Sequence, residues 1–502
     1  MNTGAFGLSP EKAQAKVLHL QRKLHKWSKA DEQKRFCDLW NLVCDPATLQ
    51  VAWLAVRNNK GSRSAGIDGQ TRSYVEQCYG VERFLTDIRC SLKDGSFTPL
   101  PVRERAIPKK SGKVRYLGIS TLRDRVVQAA LKLVLEPIFE PDFYASSYGF
   151  RPGRRTQDAI AEIVLLGNHP SSYEWVIEAD VEACFDRIDR GVIMTEVERR
   201  IGDRKVLALV RAFLHAGVMT EAGQLERRLT GTPQGGIVSP LLANVALDVL
   251  DREFEQRWAA MSRYAGHRQY LRRKGFATYR LVRYADDFII VLKGTQAQAE
   301  AVLAELPEIL GRIGLTLSAS KTHLTHIDQG FEFLGQRIIR KPRGKRHPCV
   351  YTFITDEALA SVMRKVKALT SRSTTNLSLR SLVIRLNQIL RGWATHFQHA
   401  AASRTFRYLG HYVWWRVARW LRKKHRGRTW MWIRRRYYPT GPQPHEGRWV
   451  LYNPASMRVT RYRFRGSKIP TPWDAADPKV PGQQVLFDEA EFLGKLQESL
   501  VV

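Results

Sequence analysis

The sequence predicts a mixed α+β region over residues 61–340 and an all-helical region over 355–440. Three observations carry that division. Helix and strand signals alternate irregularly from about residue 61 to 340. A basic, breaker-rich stretch at 340–348 then reads as a connector. Beyond it, residues 381–393 repeat apolar side chains at helical spacing, with polar ones between.

Taken in chain order, residues 1–60 read as an N-terminal helical extension, with a basic run at 16–26 and an apolar face of Phe36, Leu39, Trp40 and Val43. Trp175-Val176-Ile177-Glu178-Ala179 reads as a half-buried strand ending at Asp180. Asp186 follows as a turn residue and Asp189 as the N-cap of the next helix. In 232–244, paired glycines allow a tight turn. Ser239-Pro240 then reads as an N-cap and first turn, before a helix with Leu242, Val245 and Val249 on its apolar face. Residues 281–292 read as two short strands, with Asp286 and Asp287 at the turn between them. After Tyr438 the prolines of 439–444 break the helices. Residues 441–502 form a basic C-terminal segment, read as nucleic-acid-binding, whose tail turns acidic at 488–491.

Tyr284-Ala285-Asp286-Asp287 is the most informative stretch. A tight hairpin favours Asn-Gly or Asp-Gly at its tip, whereas Asp-Asp turns poorly and repels itself. A divalent cation would cancel that repulsion, although a solvated loop with two incidental acids would read the same. A metal pair that drives phosphoryl transfer draws acids from separate segments. Asp180 is the upstream candidate, because it stands where a strand end can present it to a cleft.

These motifs together resemble the group II intron reverse transcriptases, or maturases. Asp180 falls at the first palm aspartate, Pro233-Gln234-Gly235 at the template and nucleotide loop, and residues 284–287 at the YxDD hairpin. The series continues through Arg63-Ser64-Ala65-Gly66-Ile67-Asp68-Gly69, the fingers loop 107–119, Tyr148-Gly149-Phe150-Arg151-Pro152-Gly153, residues 317–322 and Phe333-Leu334-Gly335. Most of these patterns are weak singly, but in this order over residues 60–440 they are specific. The resemblance implies a right-hand polymerase fold of fingers and palm over 61–340, then a thumb and maturase domain over 355–440.

It also implies roles. Asp180, Asp286 and Asp287, with the Val181 carbonyl, would hold two Mg²⁺ ions, with Mn²⁺ as a substitute. Lys109 and Arg115 would hold triphosphate oxygens, Lys321 would lie near the leaving pyrophosphate, and Gln234 would contact nucleotide or template. Phe185 would sit under the sugar and exclude a 2′-hydroxyl. Without the resemblance, Lys109 and Arg115 read as an exposed basic hairpin and Phe185 as ordinary packing.

Composition agrees with a polyanionic partner. Lysine and arginine number 81 against 48 acids, a formal net charge of +33 with a pI near 10.2. No apolar run is long enough to span a bilayer and no signal peptide is seen, so nucleic acid is expected over a membrane surface. Residues 411–465 hold fifteen Lys or Arg against one acid, Glu446, with twelve aromatics between them. Arg422, Lys423, Lys424, Arg434 and Arg435 are the candidate RNA contacts, with Arg416 and Arg419 also projecting outward. Trp414, Val417 and Leu421 would pack inward. Six scattered cysteines, none beyond 349, form no Cys-x-x-Cys pair. Structural zinc and a disulfide framework are not expected, nor is the zinc-linked endonuclease many relatives append.

The expected function is RNA-directed DNA synthesis joined to binding of a group II intron RNA, aiding its splicing and its mobility by target-primed reverse transcription. The partners are that RNA, a DNA target or primer, and deoxynucleoside triphosphates. The expected setting is a bacterial cytoplasm, at the nucleoid when DNA is engaged. Two rivals differ in class: a maturase with a vestigial polymerase, against which the intact acids stand, and a reverse transcriptase diverted to host repair or defence, which flanking genomic sequence would reveal.

Overall fold

The computed structural model describes residues 7–108, 114–226, 230–231, 235–264, 266–344, 346–466 and 469–474. At its centre is a four-stranded antiparallel sheet, ordered Thr278–Tyr284, Asp287–Lys293, Trp175–Ala179 and His323–His326. Ile177, Leu281, Phe288, Ile290 and Leu292 face a core shared with helices Ser239–Ala260 and Gln296–Gly311. Val176, Val282, Ile289 and Val291 face a second core with helix Thr156–Gly167. Cover on both faces is why 288–292 reads as an unbroken apolar run instead of an alternating one.

Helices Pro10–Ala30 and Pro46–Asn58 pack on Leu122–Phe139, a helix buried along most of its length. Leu24, Leu39, Leu49 and Trp53 belong to the same core as the palm residues, so a division at residue 60 would cut through packed side chains. Fingers strands Val102–Pro108 and Val114–Ile119 pair antiparallel. Asp189 caps its helix, accepting from the Val192 amide at 2.9 Å. Two other local expectations shift. Helix Ser239–Ala260 is capped by Val238, so Ser239 is its first residue and is buried instead of forming the cap. Asp186 lies inside the short helix Cys184–Arg187.

The basic stretch 340–348 is not a connector. Gln336–Arg343 pairs with Arg346–Ile354 as an antiparallel hairpin. Ile338 and Val350 belong to the palm-side core, and Ile354 to a cluster with Phe397 and Phe406 of the helical region. Charged residues crowd the hairpin tip, while its apolar alternation is confined to the base, so composition alone masks the pairing.

Among the described residues, α-helices Asp356–Leu369, Leu379–Phe397, Ser403–Lys424 and Trp430–Tyr437 follow. Thr355, Ser378 and Thr429 cap the first, second and last of these. Val362, Leu382, Leu386, Val413, Val417, Trp420 and Leu421 close a separate core. From there the chain returns across the molecule. Thr460 donates its amide to the Gln398 carbonyl (3.0 Å), and Tyr462 and Arg465 reach Asp158 of the palm. Ile469 enters the palm core, and Trp473 lies 5.5 Å from the ring of His25 in the first helix. The described part of 441–502 is therefore a strap held by intramolecular contacts, a placement its basic composition did not suggest. The tail from residue 475 lies outside the described residues. Among the described residues, no helix is long and apolar enough to cross a membrane.

Candidate active site

The hairpin closes with Tyr284 paired to Asp287, leaving Ala285 and Asp286 as the two turn residues. Only one of the two acids is in the turn; Asp287 is the first residue of the returning strand. Ala285 takes a left-handed φ of +59°. Neighbouring strand Trp175–Ala179 pairs Ala179 with Phe288, which carries Asp180 to the same end of the sheet.

Beyond that strand, Val181 faces Leu317 in an isolated antiparallel bridge. Ser318 donates its amide to the Asp180 carbonyl (2.8 Å) and Glu182 donates to Thr316 (3.0 Å). Those flanking bonds make Val181 and Leu317 a non-hydrogen-bonded pair, so the Val181 carbonyl points away from the 317 segment.

The three carboxylates repel one another. Burial, then the negative charge of Asp180, raises the Asp286 carboxyl above its usual range, with Arg115 and Arg283 pulling it back. Asp287 is packed by protein from below yet open to solvent on one side. That packing, with Asp286 and Asp180, pushes it up to about 7. Asp180 instead holds the Lys321 ammonium at 2.8 Å. Among the described residues, no three His, Cys, Asp or Glu side chains form a ready-made metal cage. The donors present, hard oxygens crowded at one end of the sheet, suit a divalent cation that would relieve their repulsion.

Other residues singled out from the sequence fall around this end of the sheet. Arg115, on fingers strand Val114–Ile119, lies close enough to act electrostatically on Asp286. Gly235 has φ +106°, and a Cβ there would lie 2.6 Å from the Gly118 carbonyl, so the glycine-rich loop abuts the strand carrying Arg115. Phe185 is half-buried with its ring 6.2 Å from Phe150, edge-on. Lys109 and Gln234 lie outside the described residues.

Sequence reasoning passed over the residues beneath the turn. Arg283 and Asp251 form a wholly buried ion pair, and Gly149 packs so closely that a Cβ there would be 2.2 Å from the Ala285 nitrogen. A charged residue inside an otherwise apolar strand was the available signal.

Reverse transcriptase (RNA-dependent DNA polymerase) matches residues 107–338, and the group II intron maturase-specific domain matches 359–438. Protein YkfC of Escherichia coli is 36% identical over 341 residues, covering 65% of this chain and 89% of that protein. The chain belongs to the group II intron reverse transcriptase family. Group II intron-encoded protein LtrA of Lactococcus lactis is 32% identical over 367 residues, which cover 64% of this chain and 60% of LtrA. An uncharacterized 91 kDa protein in the cob intron of Schizosaccharomyces pombe is 32% identical, with 55% and 38% covered. Reverse transcriptases generally use divalent metal, in keeping with the oxygen donors above.

In the maturase domain of this reverse transcriptase the basic residues divide. Arg422, Lys423, Arg434 and Arg435 are exposed on the last turns of their helices. Lys424 is half-buried instead, donating to the Thr375 carbonyl (2.9 Å) and lying over the Trp420 ring. Arg416 also turns inward, donating to the Thr370 hydroxyl (2.9 Å) and carbonyl (3.0 Å) past the end of helix Asp356–Leu369. Trp420 is core, whereas Trp414, expected to pack inward, is only half-buried and donates to the Pro442 carbonyl.

Proposed function

We propose that this reverse transcriptase extends a DNA primer on an RNA template at Asp180, Asp286 and Asp287, and that it binds its group II intron RNA through the exposed arginines and lysines of the maturase domain. The convergence of three mutually repelling carboxylates at one end of the sheet, with Lys321 and Arg115 beside them, carries this reading. Two Mg²⁺ ions held by these carboxylates and the Val181 carbonyl would lower the pKa of the primer 3′-hydroxyl and stabilise charge on the leaving pyrophosphate.

The chain's own residues do the rest. Asp286 and Asp287 present oxygens from adjacent backbone positions, and Asp180 closes the set from the neighbouring strand. Arg115 and Lys109 hold triphosphate oxygens from the fingers. Lys321 exchanges Asp180 for the pyrophosphate end of the nucleotide. Phe185, backed by Phe150, forms a floor under the sugar that a 2′-hydroxyl would strike. Arg422, Lys423, Arg434 and Arg435 neutralise RNA phosphates, and the intron RNA performs its own splicing chemistry while the protein holds its fold.

Two measurements test this. Purified protein should extend a primer on an RNA template with Mg²⁺ and stop when the metal is chelated; absence of extension would overturn the polymerase reading. Sequencing RNA that co-purifies with the protein should recover a group II intron, and a random population would remove the intron partner.

A further inference from the structure

Arg283 is fully buried, and its guanidinium uses all five of its N–H donors. Nε and Nη2 grip Asp251, with Nε at 2.7 Å from Oδ1; Nη2 also reaches the Ser147 hydroxyl at 2.7 Å. Nη1 reaches Asn244 Oδ1 at 3.0 Å and the Ala285 carbonyl at 2.9 Å. Asn244 in turn donates its amide to the Gly149 carbonyl at 2.9 Å, and Gly149 is the residue pressed against Ala285.

Stability alone does not require this arrangement. A buried ion pair can often be replaced by apolar residues of similar volume with no loss, because desolvation consumes most of the attraction. An apolar pair would, however, have nothing to donate to the Ala285 carbonyl. That carbonyl belongs to a turn that needs help. Of its two residues only Ala285 has positive φ, the pattern of a type II′ turn, where glycine is normally found. An alanine there is strained and persists only when its surroundings over-determine it.

We propose that Arg283 is a positioning residue for the catalytic turn: held by Asp251, Asn244 and Ser147, it fixes the Ala285 carbonyl and with it the backbone from which Asp286 and Asp287 reach the cleft. Gly149 packs against the same turn, and Asn244 links the two supports. Fully buried, Arg283 would act through the turn and not on substrate or metal. The inference rests on the carboxylate assignment proposed above, and the two fail separately. An Asp286→Asn protein that still polymerises removes that assignment, whereas the variants below keep every carboxylate of the cleft.

The decisive variant is the double replacement Arg283→Met with Asp251→Leu, which removes the guanidinium without leaving a buried charge unpaired. Its melting temperature and primer–template affinity should stay near wild type, while kcat falls at least about tenfold and KM for the nucleotide changes little. The Mg²⁺ concentration giving half-maximal rate should rise several-fold, a shift that a purely structural pair would not produce. A folded double variant with kcat within about twofold of wild type overturns the proposal. So does one whose kcat loss is matched by lost primer–template affinity at an unchanged Mg²⁺ requirement. Should the double variant not fold, Asn244→Ala leaves the ion pair intact and should show the same pattern in smaller measure. Wild-type kcat and Mg²⁺ requirement in that protein overturn the proposal equally.

Discussion

In the palm, Arg151 is paired with Glu140, Arg280 with Glu162, and Arg283 with Asp251, all of them buried, and Arg280 also holds the half-buried Glu255. In the maturase domain Arg422, Lys423, Arg434 and Arg435 are exposed, within a stretch whose single acid, Glu446, accepts from the Arg380 amide. Buried pairs act through geometry, because desolvation makes an ill-placed charge expensive. Exposed charges act through number, because each one adds a phosphate contact and little else. A single substitution that preserves shape should therefore silence the palm, while the maturase domain should yield only to several changes or to salt.

Asp286→Asn should show the contrast most strongly. It should cut primer extension at least about a hundredfold, since electrostatic stabilisation by a bound metal contributes several kcal/mol. RNA affinity should hardly move, and near-normal extension with Mg²⁺ as the only metal would remove Asp286 from the ligand set.

The converse experiment reverses Arg422, Lys423, Arg434 and Arg435 to glutamate, leaving Lys424 on its carbonyl. Intron RNA binding should weaken by roughly tenfold to a hundredfold and its salt dependence should flatten. Extension on a short primer–template should be kept, and equal loss of both activities would merge the two regions into one nucleic-acid surface.

Phe185→Val sharpens the palm half. Opening space beneath the sugar should raise ribonucleotide incorporation several-fold in a competition assay, and unchanged discrimination would leave Phe185 as packing against Phe150 alone.

The smallest effect belongs where the two regions are tied. Arg465→Met removes contacts to the buried Asp158 at 2.8 and 2.6 Å. The apparent melting temperature should fall by a few degrees with single-nucleotide addition retained; an unchanged melting curve would mean that the strap contributes no stability.

Much of the palm was legible in the sequence because its signals are local. Strand periodicity marked 175–179 and 281–292, acids in an apolar run marked Asp180, Asp286 and Asp287, and the order of short motifs identified the family. Gly235 too was readable, since paired glycines signal close backbone approach and the Gly118 carbonyl is what Gly235 meets. Charge, by contrast, was legible only as an amount. Composition could count fifteen cations in 411–465 but could not separate Arg422, which faces water, from Arg416, which holds the Thr370 carbonyl.

By itself the sequence marked the candidate residues for the chemistry, the family and a nucleic-acid partner, since these signals come from neighbours a few positions apart and from net charge. Only the tertiary structure decided that Arg283 lies beneath the Ala285-Asp286 turn, that Gln336–Arg343 and Arg346–Ile354 pair as a hairpin, and that the basic end of the chain returns to Asp158. Long charged side chains take their role from whatever carbonyl or carboxylate the fold brings within about 3 Å, a typical hydrogen-bond distance. For Arg465 that partner is 307 residues away along the chain.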